Sequence, residues 1–524
     1  MLIGFVPMHG GVPVPPRLIV VISYDQMRGD MLTTLAPFLG SGGFKRVTRS
    51  GVHATNCTYE HACTATGPGH ATIMSGYNAH RSGIIGNMVC TWGTNDCMSC
   101  TTDDKNANLL RVPTIGDVWR AQHEDARVVS MAVKDGAAIF MGGHDATTCL
   151  WFDPASRTYT TSESYPPPAW LTSFTMRSPT GQYAGQTWST RIPERLGPAI
   201  DDVEGEGTMS NGKRTFPYTL PPLDSAAFVA DYARSPFSVE HLFDLALSAV
   251  EFEQLGADAT TDLLCIGVST TDLLGHVFGP DSREVQEMFV TCDDILARFM
   301  RTLDKRIGKN RYAVIITSDH GVAPIPEIVA REGAPQRVQI DAGRIDEDGM
   351  EMRIVEDMRA AYPVLGSVLD SSSRTVLTIH EPNAYIHHAV VQQHGVDVRA
   401  LTQRVRDVIA REQGIGYAVD RTAIMNNARL TSIDTLTWKY IRAAYDPERS
   451  GDVVFAPKRY WTIGANVANH GTPHDYDRWV PLLISGPGIR PSRYTKPCHP
   501  TDIAAMIARM LGVQFQCEGR VLGR

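Results

Sequence analysis

Short continuous apolar runs that stop at a polar residue dominate the hydrophobic pattern. The first, RLIVVISYD at 17–25, is apolar and rich in β-branched residues until it ends on a carboxylate. A strand buried on both faces of a parallel sheet reads this way. The pattern recurs at 127–135 (RVVSMAVKD), 261–272 (TDLLCIGVSTTD), 311–321 (RYAVIITSDHG) and 479–488 (WVPLLISGPG). Helical periods lie between these runs. Within 282–307, Val285, Met288, Cys292, Ile295, Phe299 and Leu303 recur every three or four residues, and DIAAMIARMLG predicts a short helix closed by Gly512. Strands alternating with helices predict an α/β fold, a mostly parallel central sheet with helices on both faces.

Two stretches break the alternation. Residues 150–240 are rich in Pro, Ser, Thr, Tyr and Gly, with few helical periods. Residues 325–460 mix charged loops with one amphipathic helix, on which Val398, Leu401, Val405 and Val408 share a face. Both read as insertions folding over the sheet edge, where they shape substrate access. The predicted division is a catalytic core from 17–150, 241–325 and 461–524, an insertion at 151–240, and an insertion or cap subdomain at 326–460. A flexible Pro/Gly-rich leader covers 1–16; it lacks the basic start and long apolar stretch of a signal peptide.

Composition narrows the class. With 524 residues, 43% of them hydrophobic, the chain can bury a large core without help from disulfides. The 49 Lys and Arg against 57 Asp and Glu, with no basic stripe, argue against a nucleic-acid partner. No apolar run reaches the roughly 18–20 residues of a membrane span. Of ten cysteines, Cys57, Cys63, Cys90, Cys97, Cys100 and Cys149 crowd the first third. Cys97 and Cys100 form a CxxC with no second CxxC to complete a zinc site. Two readings stay open: one or two local bridges in an oxidising compartment, or buried thiols.

The polar ends of the apolar runs carry the candidate chemistry. Asp25, Lys134, Asp272 and Asp319 each close one run, and ligands bind outside the carboxyl ends of strands in open α/β sheets. SDHG supplies Asp319 and His320, TDLLGH supplies Asp272 and His276, and NHG adds His470. A single Asp at a strand end is ordinarily a cap or turn former, and a single His is ordinarily structural. Three carboxylates and three imidazoles together suffice for two metals with three protein ligands each, and Asp and His suit zinc. In CTATGPGHATIMSG, Thr66 precedes Gly67–Pro68–Gly69 and a helical segment, whose N-terminus offers N–H groups to an anion. A hydroxyl nucleophile needs activation, which metal coordination provides. His70 and His80 read as structural. GTMSNGKR at 207–214 imitates a phosphate-binding loop but lacks the preceding strand and the final Ser or Thr, and HEPNA at 380–384 lacks the second His of a zinc protease.

ISYDQMRGD, TATGPGHATIMSG, HRSGIIGN, VKD, STTDLLGHVFGP, TSDHG and NHGTPHDYDRWVPLL occur in this order from about residue 17 onward. In them the chain resembles the alkaline phosphatase superfamily, in its branch of bacterial phosphate-irrepressible alkaline phosphatases with a Thr nucleophile. The resemblance implies a two-zinc phosphate monoester hydrolase with a covalent phospho-Thr66 intermediate. One zinc would be held by Asp25, Asp319 and His320 with Thr66 in its open position, the other by Asp272, His276 and His470. Asn87 and Lys134 would contact the phosphoryl group. A small phosphorylated substrate and a periplasmic or secreted location are implied as well; monomer and dimer both stay open. Sulfatases of the superfamily need CxPxR or SxPxR, and CTATG has neither the Pro nor the Arg, which leaves Cys63 structural.

One departure bears on substrate. Where the family's monoesterases commonly carry Lys-Asp-Arg, this chain has Lys134, Asp135 and Gly136. Two zinc dications would offset three Asp and a Thr66 alkoxide, and Lys134 adds one positive charge. A monoester dianion then lacks one compensating charge, whereas a diester monoanion is balanced. A lost hydrogen bond to a charged group costs about 2–3 kcal/mol. Diester or nucleotide pyrophosphate hydrolysis on the same site is therefore the alternative reading. A binding protein without turnover is a third, but such chains lose a ligand or the nucleophile, and here neither is lost.

Overall fold

A computed structural model describes residues 15–192, 201–332, 340–369 and 375–522. Apart from Pro15 and Pro16, the leader expected over 1–16 lies outside the described residues. The main sheet has nine strands, in chain order β1 (Leu18–Tyr24), β2 (Gly51–Thr58), β3 (Val128–Ala132), β4 (Thr148–Asp153), β5 (Thr158–Thr160), β6 (Asp262–Val268), β7 (Tyr312–Thr317), β8 (Trp479–Ser485) and β9 (Ser492–Tyr494). Their spatial order is β9-β2-β8-β7-β1-β6-β3-β4-β5. The central strand β1 is parallel to both neighbours, with Ile22 level with Ile266 and Ile316. The fold is thus the mostly parallel α/β sheet the sequence predicts.

Strands β5 and β8 run against the rest. The 479–488 run, read as a parallel strand, therefore has the opposite direction. An apolar run reports burial on both faces, and β8 is buried between β7 and β2 whichever way it points.

Alternation along β1 divides the core. Leu18, Val20 and Ile22 face one side, where α3 (Pro236–Phe252), α4 (Thr270–Phe278) and α5 (Arg283–Leu303) pack. Ile19 and Val21 face the other, covered by α1 (Thr66–Ser75), α2 (Asp135–Gly142) and α6 (Thr501–Leu511). Each such fully buried aliphatic side chain contributes roughly 1.5–3 kcal/mol. Helix α5 buries all six residues of its predicted stripe, and α6 ends at Gly512 in the left-handed conformation (φ 74°). Helix α3 was not legible. Its buried positions, including Val239, Leu242, Phe243, Leu245 and Ala246, spread around much of its circumference and blur the period, although Ser235 and Pro236 are a proper N-terminal signal.

The 325–460 stretch holds more order than its sequence predicts. Leu377–His380, Asn383–Ile386, Val453–Pro457 and Ile415–Asp420 form an antiparallel sheet in that spatial order. The helices Glu347–Ala361 and Val398–Arg411 share a core with this sheet that includes Ile354, Leu401, Val405 and Phe455. Strands of four to six residues interleaved with charged turns do not stand out from loops. One disulfide joins Cys90 to Cys97; Cys100, the other half of the CxxC, is a buried thiol. Among the described residues no helix is long and apolar enough to cross a membrane.

Candidate metal centre and nucleophile

The carboxyl ends of the central strands converge on one point. Asp25 directly follows β1, Lys134 lies just beyond β3, and Asp319 and His320 lie just beyond β7. Asp272 is placed differently from expectation. Strand β6 stops at Val268, and Asp272 lies in the first turn of α4, so Asp272 and His276 are an i,i+4 helical pair. The polar Ser269–Thr270–Thr271 start the helix, and a first-turn carboxylate is favoured by the helix dipole. His470 comes from the loop before β8. That loop is pinned to the segment after β7 by Gly321 N–H donating to Asp477 O (2.6 Å) and Ala323 N–H to Asn469 O (3.1 Å).

Three imidazoles share one arrangement. The Nδ1 atoms of His276, His320 and His470 lie 2.8, 2.9 and 2.8 Å from the carbonyl oxygens of Ala468, Gly321 and Thr64. A carbonyl only accepts, so each Nδ1 carries the proton and each Nε2 turns inward. His276 Nε2 and His470 Nε2 stand 3.3 Å apart, and Asp272 Oδ1 lies 3.2 and 3.4 Å from them. His320 Nε2 is 3.2 Å from Asp319 Oδ2, and its ring stacks on His470 at 3.6 Å. Burial, reinforced by His320, pulls His470 down to about 4, which leaves it neutral and able to ligate. Burial also works against charge on His320, but Asp319 outweighs it and lifts the ring to about 9. A cation there would compete with that proton.

Two tight groups of ligand atoms result, each within 4.8 Å of one another: Asp272, His276 and His470, and Asp25, His70 and Asp319. The second contains His70 where the sequence reading has His320. His70 is fully buried, with Nδ1 2.8 Å from Thr66 O and Nε2 3.2 Å from Asp25 Oδ1. Burial opposes its charge, yet Asp25 and Asp319 together raise it above its ordinary value. Both carboxylate oxygens of Asp25, and Asp319 Oδ2, are buried without a hydrogen-bond partner. Burial, then the neighbouring Asp319, pushes the Asp25 carboxyl up. Unpartnered buried carboxylate oxygens beside inward-facing imidazole nitrogens fit divalent cations. A third cluster, Cys90, Cys97 and His380, does not, because its two sulfurs are bonded to each other.

Thr66 opens α1 beside this cluster. Lys134 Nζ lies 3.4 Å from Thr66 Oγ1 and is ion-paired with Asp272 Oδ2. Burial would pull this ammonium down, but Asp272 and then Asp25 outweigh it and hold the pKa above the ordinary lysine value. Gly69 is obligatory, since a Cβ there would lie 2.2 Å from Asp319 O. The helix N-terminus is less open to an anion than the sequence implies. Pro68 has no N–H, Gly67 N–H donates to Asn87 Oδ1 (2.9 Å), and Gly69 N–H donates to Ala65 O (2.9 Å). Near this turn, the Lys134 ammonium lies 3.4 Å from Thr66 Oγ1 and Asn87 meets Gly67 N–H through its Oδ1. A Cβ on Gly136 would meet only Thr101 Cγ2, at 3.8 Å.

The sequence reading missed Gln26. Its Nε2 donates to Asp272 Oδ1 (2.7 Å) and its backbone N–H to Asp319 Oδ1 (3.1 Å), so one residue ties both clusters of candidate ligands to β1. Its position directly after Asp25 is the only signal the sequence carries.

A sequence model of the Type I phosphodiesterase / nucleotide pyrophosphatase family matches residues 19–477. The chain is 28% identical, over 95% of its length and 92% of the relative's, to alkaline phosphatase PafA of Elizabethkingia meningoseptica. It is equally 28% identical, with the same coverage, to a Myroides odoratus protein named calcium-transporting ATPase. The crystal structure of wild-type alkaline phosphatase PafA superposes with a TM-score of 0.85 at 26% identity, covering 97% of each chain.

Proposed function

The chain belongs to the Type I phosphodiesterase / nucleotide pyrophosphatase family, which makes it a phosphoesterase, and on that premise we propose a two-zinc phosphate monoester hydrolase acting through a covalent phospho-Thr66 intermediate. One observation carries the reading: three imidazoles with their Nδ1 protons committed to carbonyls turn Nε2 toward buried carboxylates beside a threonine hydroxyl. Asp25, Asp319 and His320, with Thr66, would hold one zinc; Asp272, His276 and His470 would hold the other. When bound, the zinc ions supply a lowered pKa for the Thr66 hydroxyl and charge balance for the departing oxygen.

The chain's own residues do the rest. Thr66 Oγ attacks phosphorus in line, the P–Oγ bond forms, and the ester P–O bond breaks to release the alcohol. Water then cleaves phospho-Thr66, returning the hydroxyl and releasing phosphate. Lys134 and the Asn87 amide bind non-bridging oxygens, where positioning and electrostatics provide most of the catalysis. Gln26 and His70 hold the carboxylates in place.

Gly136, where the family's monoesterases commonly carry Arg, favours a second reading, diester hydrolysis on the same site. Gly136 puts no cation at that position to match a dianion. Rates of zinc-loaded protein on nitrophenyl phosphate and on a methyl nitrophenyl diester separate the two. Preference for the diester by about 10²-fold or more would reject the monoester assignment. The Cys90–Cys97 bridge supports a location outside the cytoplasm, where disulfides persist.

A further inference from the structure

Asn87 reaches the nucleophile turn from the base of a short hairpin. Met88–Cys90 pairs with Cys97–Ser99, Met88 opposite Ser99 and Cys90 opposite Cys97, and the latter pair is the disulfide. At the base, Cys100 N–H donates to Asn87 O (2.9 Å) while Asn87 Oδ1 accepts Gly67 N–H (2.9 Å). Cys100 packs against the same turn, since a Cβ on Gly67 would come within 3.0 Å of its Sγ. The tip is anchored on the small antiparallel sheet. Trp92 Nε1 donates to the buried Asp452 (3.0 Å), His388 N–H donates to Gly93 O (2.9 Å), and Arg421 lies 3.7 Å over the Trp92 ring.

Asn87 itself is exposed, so packing does not fix its side chain. Two strands of three residues are too short to hold register alone. We propose that Cys90 and Cys97 are positioning residues: their bridge keeps the hairpin in register so that the Asn87 amide stays on Gly67 and presents its N–H groups to the phosphoryl group. This rests on the reading of Asn87 as a phosphoryl contact. Loss of the bridge lowers the fraction of molecules with Asn87 in place. Phosphate affinity falls in proportion to that fraction, while the reacting groups themselves are untouched.

The test compares the Cys90→Ser, Cys97→Ser pair, Asn87→Ala and the triple variant as zinc-loaded proteins. Calorimetric titration with inorganic phosphate is the main readout, with bound zinc, KM and kcat alongside. The serine pair is expected to weaken phosphate binding and raise KM by about three- to tenfold, with zinc content and kcat unchanged. In the Asn87→Ala background the same pair should make no further difference. An equal loss in both backgrounds, or none in either, overturns the inference and leaves Asn87 as a contact. Unchanged phosphate binding in Asn87→Ala alone overturns the contact reading, and the inference with it. Should the serine pair not fold, reducing the bridge with a thiol reductant in folded wild-type and Asn87→Ala protein serves the same comparison.

Discussion

His276 Nε2 and His470 Nε2 face each other at 3.3 Å, with Asp272 Oδ1 within 3.4 Å of both and each ring's other nitrogen bound to a carbonyl. Electron-rich atoms at these separations repel unless a cation lies among them. Stripping metal with a chelator is therefore expected to abolish activity and to lower Tm by several degrees, with zinc restoring both. Unchanged Tm and full activity after verified metal removal would contradict the reading.

Asp319→Ala should lose bound metal and activity together. Asp319 Oδ2 is buried and unpartnered, while Oδ1 accepts from Gln26 N–H and His320 N–H, so the substitution removes a ligand and a local anchor at once. Metal analysis beside the activity assay checks this. Full metal occupancy in the variant would move the ligand role elsewhere, His70 being the nearest candidate.

Thr66→Ala should reduce turnover by about 10³-fold or more with metal retained. Rapid quenching of wild-type protein with labelled substrate should leave label on Thr66, found by peptide mass spectrometry. Substantial turnover in the variant would rule out the covalent route.

Lys134→Ala should cost about 10²-fold on a monoester and about tenfold on a diester, because the dianion depends more on the one ammonium 3.4 Å from Thr66 Oγ1. Gly136→Arg, whose new Cβ would meet only Thr101 Cγ2 at 3.8 Å, is expected to shift preference toward monoesters. Steady-state kcat/KM on both substrates checks the pair. Equal losses on both for Lys134→Ala would count against its role.

Glu284, at the start of α5, is fully buried and accepts from Tyr218 OH (2.6 Å). Burial, which Asp201 reinforces, raises its carboxyl from 4.5 to about 8. The folded protein therefore binds more protons than the unfolded chain between about pH 4.5 and 8, and this group's contribution to stability falls as pH rises through that window. Glu284→Gln removes the ionisation. Its Tm should exceed wild type at pH 9 by a few degrees and match it near pH 5. Parallel Tm profiles across this range would show that Glu284 does not titrate there.

What the sequence could reveal follows from how each feature is encoded. Strands β1, β3, β6 and β7 were legible because burial on both faces leaves only apolar residues to choose from, and Asp25 and Asp319 stood out as the polar residues that end such runs. Asp272 was recognisable but misplaced by part of a helical turn, because TDLLCIGVSTTD does not mark where the strand yields to α4. The direction of β8 was hidden, as side-chain pattern carries no chain polarity. Gln26 was missed, and His70 was read only as structural, for a shared reason: each touches residues distant in sequence, and a buried polar side chain looks the same in a sequence whether or not it meets a partner. The Cys90–Cys97 pairing depended on hairpin register, which spacing alone does not fix.

The central claim is that six acidic and imidazole side chains hold two zinc ions beside Thr66. X-ray diffraction from zinc-loaded crystals, recorded on either side of the zinc absorption edge, tests it most directly. The account predicts two anomalous peaks about 4 Å apart, one against Asp25, Asp319 and His320 near Thr66 Oγ1, the other against Asp272, His276 and His470. A single peak, or peaks away from these residues, would contradict it.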